Sequence, residues 1–260
     1  MHPKTSEIIE NAAKMADYEC ERLAKDIDAF IINNKRGVSF MSSLWNIYPQ
    51  TRGTDASLFR YKELCFQALK AWSIPAVHTE YLGSDLSTLP EVISESDITY
   101  PCVVKINAGS GGQGVYTLET ESKANVLSQE IITKDTDYCL QQFIDSPEYR
   151  IFIDHGIVRF LYRKNFVENG KRRISENVFD DTFTPLFNTI PDYIQEWAYT
   201  LYKKTSAPII GADVFIKDDI SVEQKITVLE LNHNPGLGIL YEAGYQTMIV
   251  KLLADIFTRY

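Results

Sequence analysis

Residues 100–115 read YPCVVKINAGSGGQGV, an apolar run that opens into a loop with glycines at 109, 111, 112 and 114. Gly109, Gly111 and Gly114 satisfy the G-x-G-x-x-G spacing. In a dinucleotide-binding βαβ unit such a loop opens a helix, whose N-terminus receives the pyrophosphate. Here the loop is followed by Val115-Tyr116-Thr117-Leu118, residue types that favour strand. The spacing therefore predicts a glycine-rich connection between two antiparallel strands, and the dinucleotide fold is excluded. No G-x-x-x-x-G-K-[ST] stretch occurs, so a P-loop is excluded too. A glycine hairpin can still wrap phosphate, because backbone N–H groups converge on an anion where no side chain obstructs them. Lys105, four residues before Gly109, adds a cation at the strand end. A solvated surface hairpin would carry the same residues, and the motif alone does not separate the two readings.

A second informative stretch lies toward the C-terminus. IIGADVFI (209–216) carries Asp213 inside an otherwise apolar strand. VLELNHNPG (228–236) places Glu230 and Asn232 two residues apart, on one face of a strand. Two carboxylates and an amide oxygen on neighbouring strands form a hard, all-oxygen donor set of the kind Mg²⁺ takes. A solvated sheet face would explain Glu230 and Asn232 without a metal. It explains Asp213 poorly, because a buried carboxylate without compensation is costly.

The rest of the chain alternates between helical and strand periodicity. Ile8, Ala12, Met15, Leu23, Ile27, Phe30 and Ile31 recur at helical spacing and predict one long helix, capped at Thr5 or Ser6 and ended by Arg36-Gly37. Residues 38–56 read as irregular. A second helix carries Tyr61, Leu64, Cys65, Ala68 and Trp72 on one stripe and ends at Pro75. A strand follows at 76–82, a short acidic helix at 86–96 and a helix at 121–131. YCLQQFI (138–144) is a strand, and 148–164 reads as two strands turning at Asp154-His155-Gly156. Asn169-Gly170 is a hairpin signal, since both residue types tolerate positive φ. The basic residues Arg163, Lys164, Lys171, Arg172 and Arg173 gather around it. A helix at 190–205, strands at 209–216 and 226–232 and a final helix from 244 complete the chain. Meandering strands with interspersed helices give an α+β class.

Composition narrows the function classes. The 260 residues are 45% hydrophobic and 23% charged with net charge −9, so no general positive field recruits nucleic acid or anionic lipid. Residues 1–14 have charges throughout and no apolar stretch, which argues against a secretory signal. No apolar run approaches the roughly 18 residues that span a bilayer. The scattered Cys20, Cys65, Cys102 and Cys139 favour neither a disulfide framework nor a zinc site, and a reduced cytoplasm is the expected location.

Taken in order, YPCVVKINAGSGGQGV, CLQQFIDSPEYRIFIDHG (139–156) and IIGADVFI followed by VLELNHNPGL resemble the ATP-grasp superfamily. The closest-looking branch joins carboxylates to amines, as in glutathione synthetase, RimK-like ligases and cyanophycin synthetase. The resemblance implies two α+β subdomains gripping ATP over residues 57–260, with 101–144 as a lid and 145–260 as the C-terminal subdomain. Residues 1–56 then stand as a short helical N-terminal segment where relatives carry an α/β domain. Lys62 looks like the first phosphate-contacting lysine and Lys105 like the second. The loop Gly109, Ser110, Gly111, Gly112, Gln113 and Gly114 would close over phosphates. Gln142, Phe143 and Ile144 match the hinge that reads adenine, and Glu148 the ribose-binding acid. Arg150 and Arg163 match arginines that hold a substrate carboxylate or the transferring phosphate, with Lys164 beside them as a catalytic cation. Asp213, Glu230 and Asn232 match the ligands of Mg²⁺, or of Mn²⁺ in its place. The implied reaction is ADP-forming amide synthesis through an acyl phosphate. Its substrates would be a small-molecule acid and an amine, among them an amino acid or peptide. A homodimer would let a second subunit supply substrate contacts. An ATP-binding scaffold without turnover and a phosphotransferase remain as alternatives.

Overall fold

The computed structural model describes residues 3–22, 30–34, 37–41, 56–109, 114–130, 136–165, 182–186, 190–217, 220–233, 235–237, 240 and 243–259. The strands form three antiparallel sheets. In the largest, the most apolar strand is an interior one, as its sequence requires. β11 (Ile209–Phe215) is buried at every position. It lies between β8 (Glu148–Asp154) and β12 (Thr227–Asn232), and β9 (Ile157–Asn165) and β10 (Thr182–Leu186) extend the sheet in the order β10-β9-β8-β11-β12. A strand flanked on both edges and covered on both faces has no solvated side, so continuous hydrophobicity replaces alternation.

The smaller sheet has order β4-β7-β5-β6, built from Thr79–Gly83, Tyr138–Gln142, Cys102–Ile106 and Val115–Leu118. One face carries Cys102, Val104, Leu118, Tyr138 and Leu140. It packs on Leu89 and Ile93 of α3 (Leu89–Glu95) and on Ala124 and Leu127 of α4 (Glu121–Glu130). By strand alternation the other face carries Thr79, Tyr81, Val103, Lys105, Cys139 and Gln141. Since β4 and α3 belong to this lobe, it begins before the expected boundary at residue 101. The glycine stretch joins β5 to β6 as antiparallel neighbours, so the predicted loop between strands is what forms.

Two chain passages connect the lobes. After α2 (Lys62–Ala71), Ala76 bridges Val228 in parallel fashion. Val77 N donates to Val228 O at 2.8 Å, and Val228 N donates to Pro75 O at 2.9 Å. Two residues further on the same chain becomes β4. The second passage is 143–147, between β7 and β8. Gln142 N donates to His78 O at 3.0 Å and so ties the two passages together.

The N-terminal segment departs from the single long helix. α1 spans Pro3–Met15 only, and β1 (Glu19–Arg22), β2 (Phe30–Asn34) and β3 (Gly37–Met41) form a three-stranded meander. The helix ends where Asp17 adopts φ +60, a left-handed turn that ordinary helix does not contain. The β-branched pair within FIINN then favours strand over the helical spacing it happens to satisfy. α1 buries Ile8, Ile9, Ala12 and Ala13 in the main core. That core also takes Ile194, Ala198 and Leu201 of α5 (Asp192–Thr205), and Ile249, Leu253, Ile256 and Phe257 of α6 (Gln246–Arg259). Tyr18 Oη donates to Phe257 O at 2.7 Å, fastening the N-terminal segment to α6. Among the described residues no helix is long and apolar enough to cross a membrane.

Candidate active site

Register places the charged residues on one face of the five-stranded sheet. Asp213 sits opposite Arg150 on one side and Glu230 on the other, Glu148 opposite Lys164, and Gly211 opposite Asn232. Directly opposed residues share a face, so six of the predicted site residues converge here. Arg163 does not join them. It opposes Tyr149, a core residue on the reverse face, and its own side chain is exposed. Arg163 and Lys164 are consecutive in a strand, and consecutive side chains point to opposite faces. The structure therefore separates the expected pair: Lys164 shares the face of Asp213, and Arg163 lies on the opposite one. Phe152 stacks on Phe160 at 4.8 Å and closes this face at its apolar end.

Asp213 is the centre of an ion network. Arg150 Nε donates to Asp213 Oδ1, and Arg150 Nη2 donates to Oδ2 at 2.7 Å. Lys164 Nζ lies 2.9 Å from Asp213 Oδ1 and 2.6 Å from Glu148 Oε1. Asn232 Nδ2 approaches Asp213 Oδ2 at 3.5 Å and Glu230 Oε1 at 3.2 Å. Burial by itself would raise the Asp213 pKa, but Arg150 and Lys164 outweigh it and hold the carboxyl below the usual range. Burial would likewise lower Lys164, yet Asp213 and Glu148 together keep it above an ordinary lysine. Asp213, Arg150 and Lys164 are therefore all charged at neutral pH. Glu148, matched to a ribose-binding acid, is bound to Lys164.

Lys62 joins this sheet to the glycine stretch. It is the first residue of α2, and its Nζ donates to Gly109 O at 2.6 Å while lying 4.0 Å from Glu230 Oε2. Tyr61, at the helix cap, supplies no side-chain acceptor. Asn107 of the other lobe supplies the cap instead. Its Oδ1 accepts from Glu63 N at 3.1 Å and its main-chain O from Lys62 N at 3.1 Å. Burial depresses the Lys62 pKa; Glu230 opposes that shift and nearby Lys105 adds to it. Lys105 is buried, and among the described residues it makes no ion pair. Burial pushes the Cys65 thiol, close to both lysines, up to about 12, so it is inert at neutral pH.

At the loop ends, Gly114 has φ +62, and a Cβ there would stand 2.5 Å from Ile106 Cδ1. Ser110, Gly111, Gly112 and Gln113 lie outside the described residues, as do Asn169, Gly170, Lys171, Arg172 and Arg173. Gln142, Phe143 and Ile144 are half-buried at the end of β7 and in the passage between the lobes. The carboxamide of Gln142 accepts from Thr99 N at 3.4 Å. Sequence reasoning missed Gly211, Asn107 and Pro235. A Cβ at Gly211 would meet Pro235 Cβ at 2.5 Å and Arg150 Nη1 at 3.4 Å. The glycine therefore lets the loop after β12 close over the sheet beside Arg150. A glycine interrupting an apolar strand was the available signal, because it marks close approach of another chain segment.

Two antiparallel lobes joined by paired passages, with Lys105 and a glycine stretch on one and a charged sheet face and Lys62 on the other, define a fold of the ATP-grasp class. The chain belongs to the RimK-like ATP-grasp domain family, whose model matches residues 60–255. Among solved structures it is similar to the ATP-grasp ligase PsnB complexed with a precursor variant, Mg and ADP. That match has 16% identity and TM-score 0.54, and covers 78% of this chain and 59% of PsnB. A RimK domain ATP-grasp protein from Sphaerobacter thermophilus matches at 14% identity and TM-score 0.54, over 77% of this chain and 68% of that one. The D-alanine–D-alanine ligase of Bacillus anthracis matches at 16% identity and TM-score 0.51, over 78% and 69%. The chain thus spans less than two thirds of the PsnB length. No curated protein sequence matches it.

Proposed function

We propose that the protein is an ATP-dependent ligase that activates a carboxylate and joins it to an amine, releasing ADP and phosphate. The observation that carries the reading is Lys62, a largely buried cation held between the Gly109 carbonyl and the Glu230 carboxylate. It bridges a glycine loop and an acidic sheet, as a triphosphate bound with a divalent cation requires. Lys105, with no carboxylate partner among the described residues, adds uncompensated positive charge on the same side. Hard donors for Mg²⁺ are at hand in the Glu230 carboxylate and the adjacent Asn232 carboxamide, so these residues fit the ion and would hold it. Bound there, Mg²⁺ would neutralise phosphate charge.

The chain's own contribution is positioning and charge. A substrate carboxylate oxygen attacks the γ-phosphorus as the bond to ADP breaks. The resulting acyl phosphate yields to an amine, which forms the amide, loses a proton and expels phosphate. Lys62 and Lys105 would hold the phosphates. Arg150 and Lys164, fixed by Asp213 before substrate arrives, would stabilise negative charge on the transferring group. Gln142, Phe143, Ile144 and Glu148 line the passage between the lobes, where the base and ribose would sit. The acid and amine belong to the small-molecule or peptide class. The test is ATP consumption with panels of acids and hydroxylamine. A hydroxamate formed with release of ADP supports the ligase, whereas ATP turnover that never yields hydroxamate points to simple phosphotransfer and overturns it.

A further inference from the structure

Asp213 was expected to ligate the metal with Glu230 and Asn232, and its surroundings disagree with that expectation. A carboxylate offers about four lone-pair positions. At Oδ1 they meet Arg150 Nε and Lys164 Nζ; at Oδ2 they meet Arg150 Nη2 and the more distant Asn232 Nδ2. Two of these partners are permanent cations at neutral pH, and the Asp213 side chain is only 2% exposed. A divalent ion on Asp213 would have to displace a bidentate guanidinium and settle within a few ångströms of two positive charges. Bidentate arginine–carboxylate pairs are the strongest hydrogen-bonded ion pairs available to side chains. Glu230 differs in each respect. It is 25% exposed on its side chain, and among the described residues it takes one hydrogen bond, from the neutral Asn232, with Lys62 at 4.0 Å as its nearest cation.

Resting on the ATP-dependent reading above, we propose that Asp213 is a positioning residue for Arg150 and Lys164, and that the divalent ion is held from the Glu230–Asn232 side without it. Asp213 then serves the γ-phosphate indirectly, by fixing the two cations that meet it.

The experiment compares ADP and AMPPNP affinities, with Mg²⁺ and with EDTA, for the wild type, Asp213→Asn and Glu230→Gln by calorimetry. Glu230→Gln should lose roughly tenfold or more of the Mg²⁺-dependent tightening of ADP, because removing a charged ligand weakens a divalent site. Asp213→Asn should keep that tightening to within about threefold, yet lose the preference for AMPPNP over ADP, because Arg150 and Lys164 are no longer held. A merely structural role would move both nucleotides together. Loss of the Mg²⁺ effect in Asp213→Asn as large as in Glu230→Gln would overturn the proposal and leave the ATP-dependent reading standing. A wild type that binds neither nucleotide would overturn both. If Asp213→Asn fails to fold, the charge-balanced pair Asp213→Asn with Lys164→Gln is measured against Lys164→Gln alone, where Arg150 still occupies Asp213. Equal Mg²⁺ effects in those two proteins support the proposal, and a selective loss in the pair sinks it.

Discussion

The two larger sheets carry buried charge in opposite ways. In the five-stranded sheet Asp213, Glu148, Arg150 and Lys164 satisfy one another across three strands. In the four-stranded sheet Lys105 is buried to a similar degree and has no carboxylate partner among the described residues. The first arrangement is complete without ligand. The second is incomplete among the described residues. Preorganised charge costs nothing to rearrange when substrate arrives, whereas an unpaired cation gains most from an anion. Under the proposed ligase reading, one lobe would orient the reacting groups and the other would capture the anion.

Breaking the paired side should have the largest effect. Asp213→Ala strands Arg150 and Lys164 without their shared counter-ion and should destabilise the fold by about 3–5 kcal/mol, read from urea unfolding. Lys105→Met makes the opposite test, because it removes a charge that no carboxylate among the described residues pairs with. Activity should fall roughly 10²–10³-fold, while the melting temperature holds or rises. A fall in both would show that Lys105 has a hidden structural partner and would erase the contrast.

Smaller effects sharpen it. Gly114→Ala imposes a left-handed conformation on a residue with a Cβ and presses Ile106, at about 1–2 kcal/mol, visible as a lowered urea midpoint. Asn107→Ala removes the cap that one lobe lends to α2 of the other, about 1 kcal/mol, and should loosen phosphate binding at Lys62 as well. The pH dependence follows from the paired side. Asp213 is held below its ordinary value, so its stabilisation is present above the unfolded pKa of about 4 and disappears as pH falls through the lower folded value. Lys164 is raised, so its contribution is present below the ordinary lysine pKa and is lost only as pH climbs through the higher folded value. Neither residue should therefore make stability vary between about pH 5 and 9, and thermal melts across that window check it. Lys62, depressed by burial, loses its proton before the raised Lys164 on the alkaline side, so nucleotide affinity should weaken before the paired network does.

Much of this contrast is legible in the amino-acid sequence. The central strands, the antiparallel glycine connection and the Asp213, Glu230, Asn232 set follow from apolar runs and from alternation. What stays hidden requires register. Nothing local in IIGADVFI says that Asp213 faces Arg150, 63 positions away, rather than an ion. The split between Arg163 and Lys164 is available from alternation alone, yet the family resemblance draws both into one site. β10 escapes because Pro185 lies within TFTPL; on an edge strand a proline need not donate to a neighbour, and β10 is an edge. β2 escapes because Phe30 and Ile31 fit a 3.6-residue period continued from α1, although the chain has already turned at Asp17.

The paired passages between the lobes have a mechanical consequence. One flexible link would let the lobes twist and slide freely; two links bonded side by side at His78 and Gln142 act like a door hung on two leaves. Twisting one lobe against the other would have to shear that bond and the ladder between Pro75, Val77 and Val228. Lys62, bonded to Gly109 O, is a further tie between the lobes, and that bond would have to break for them to part.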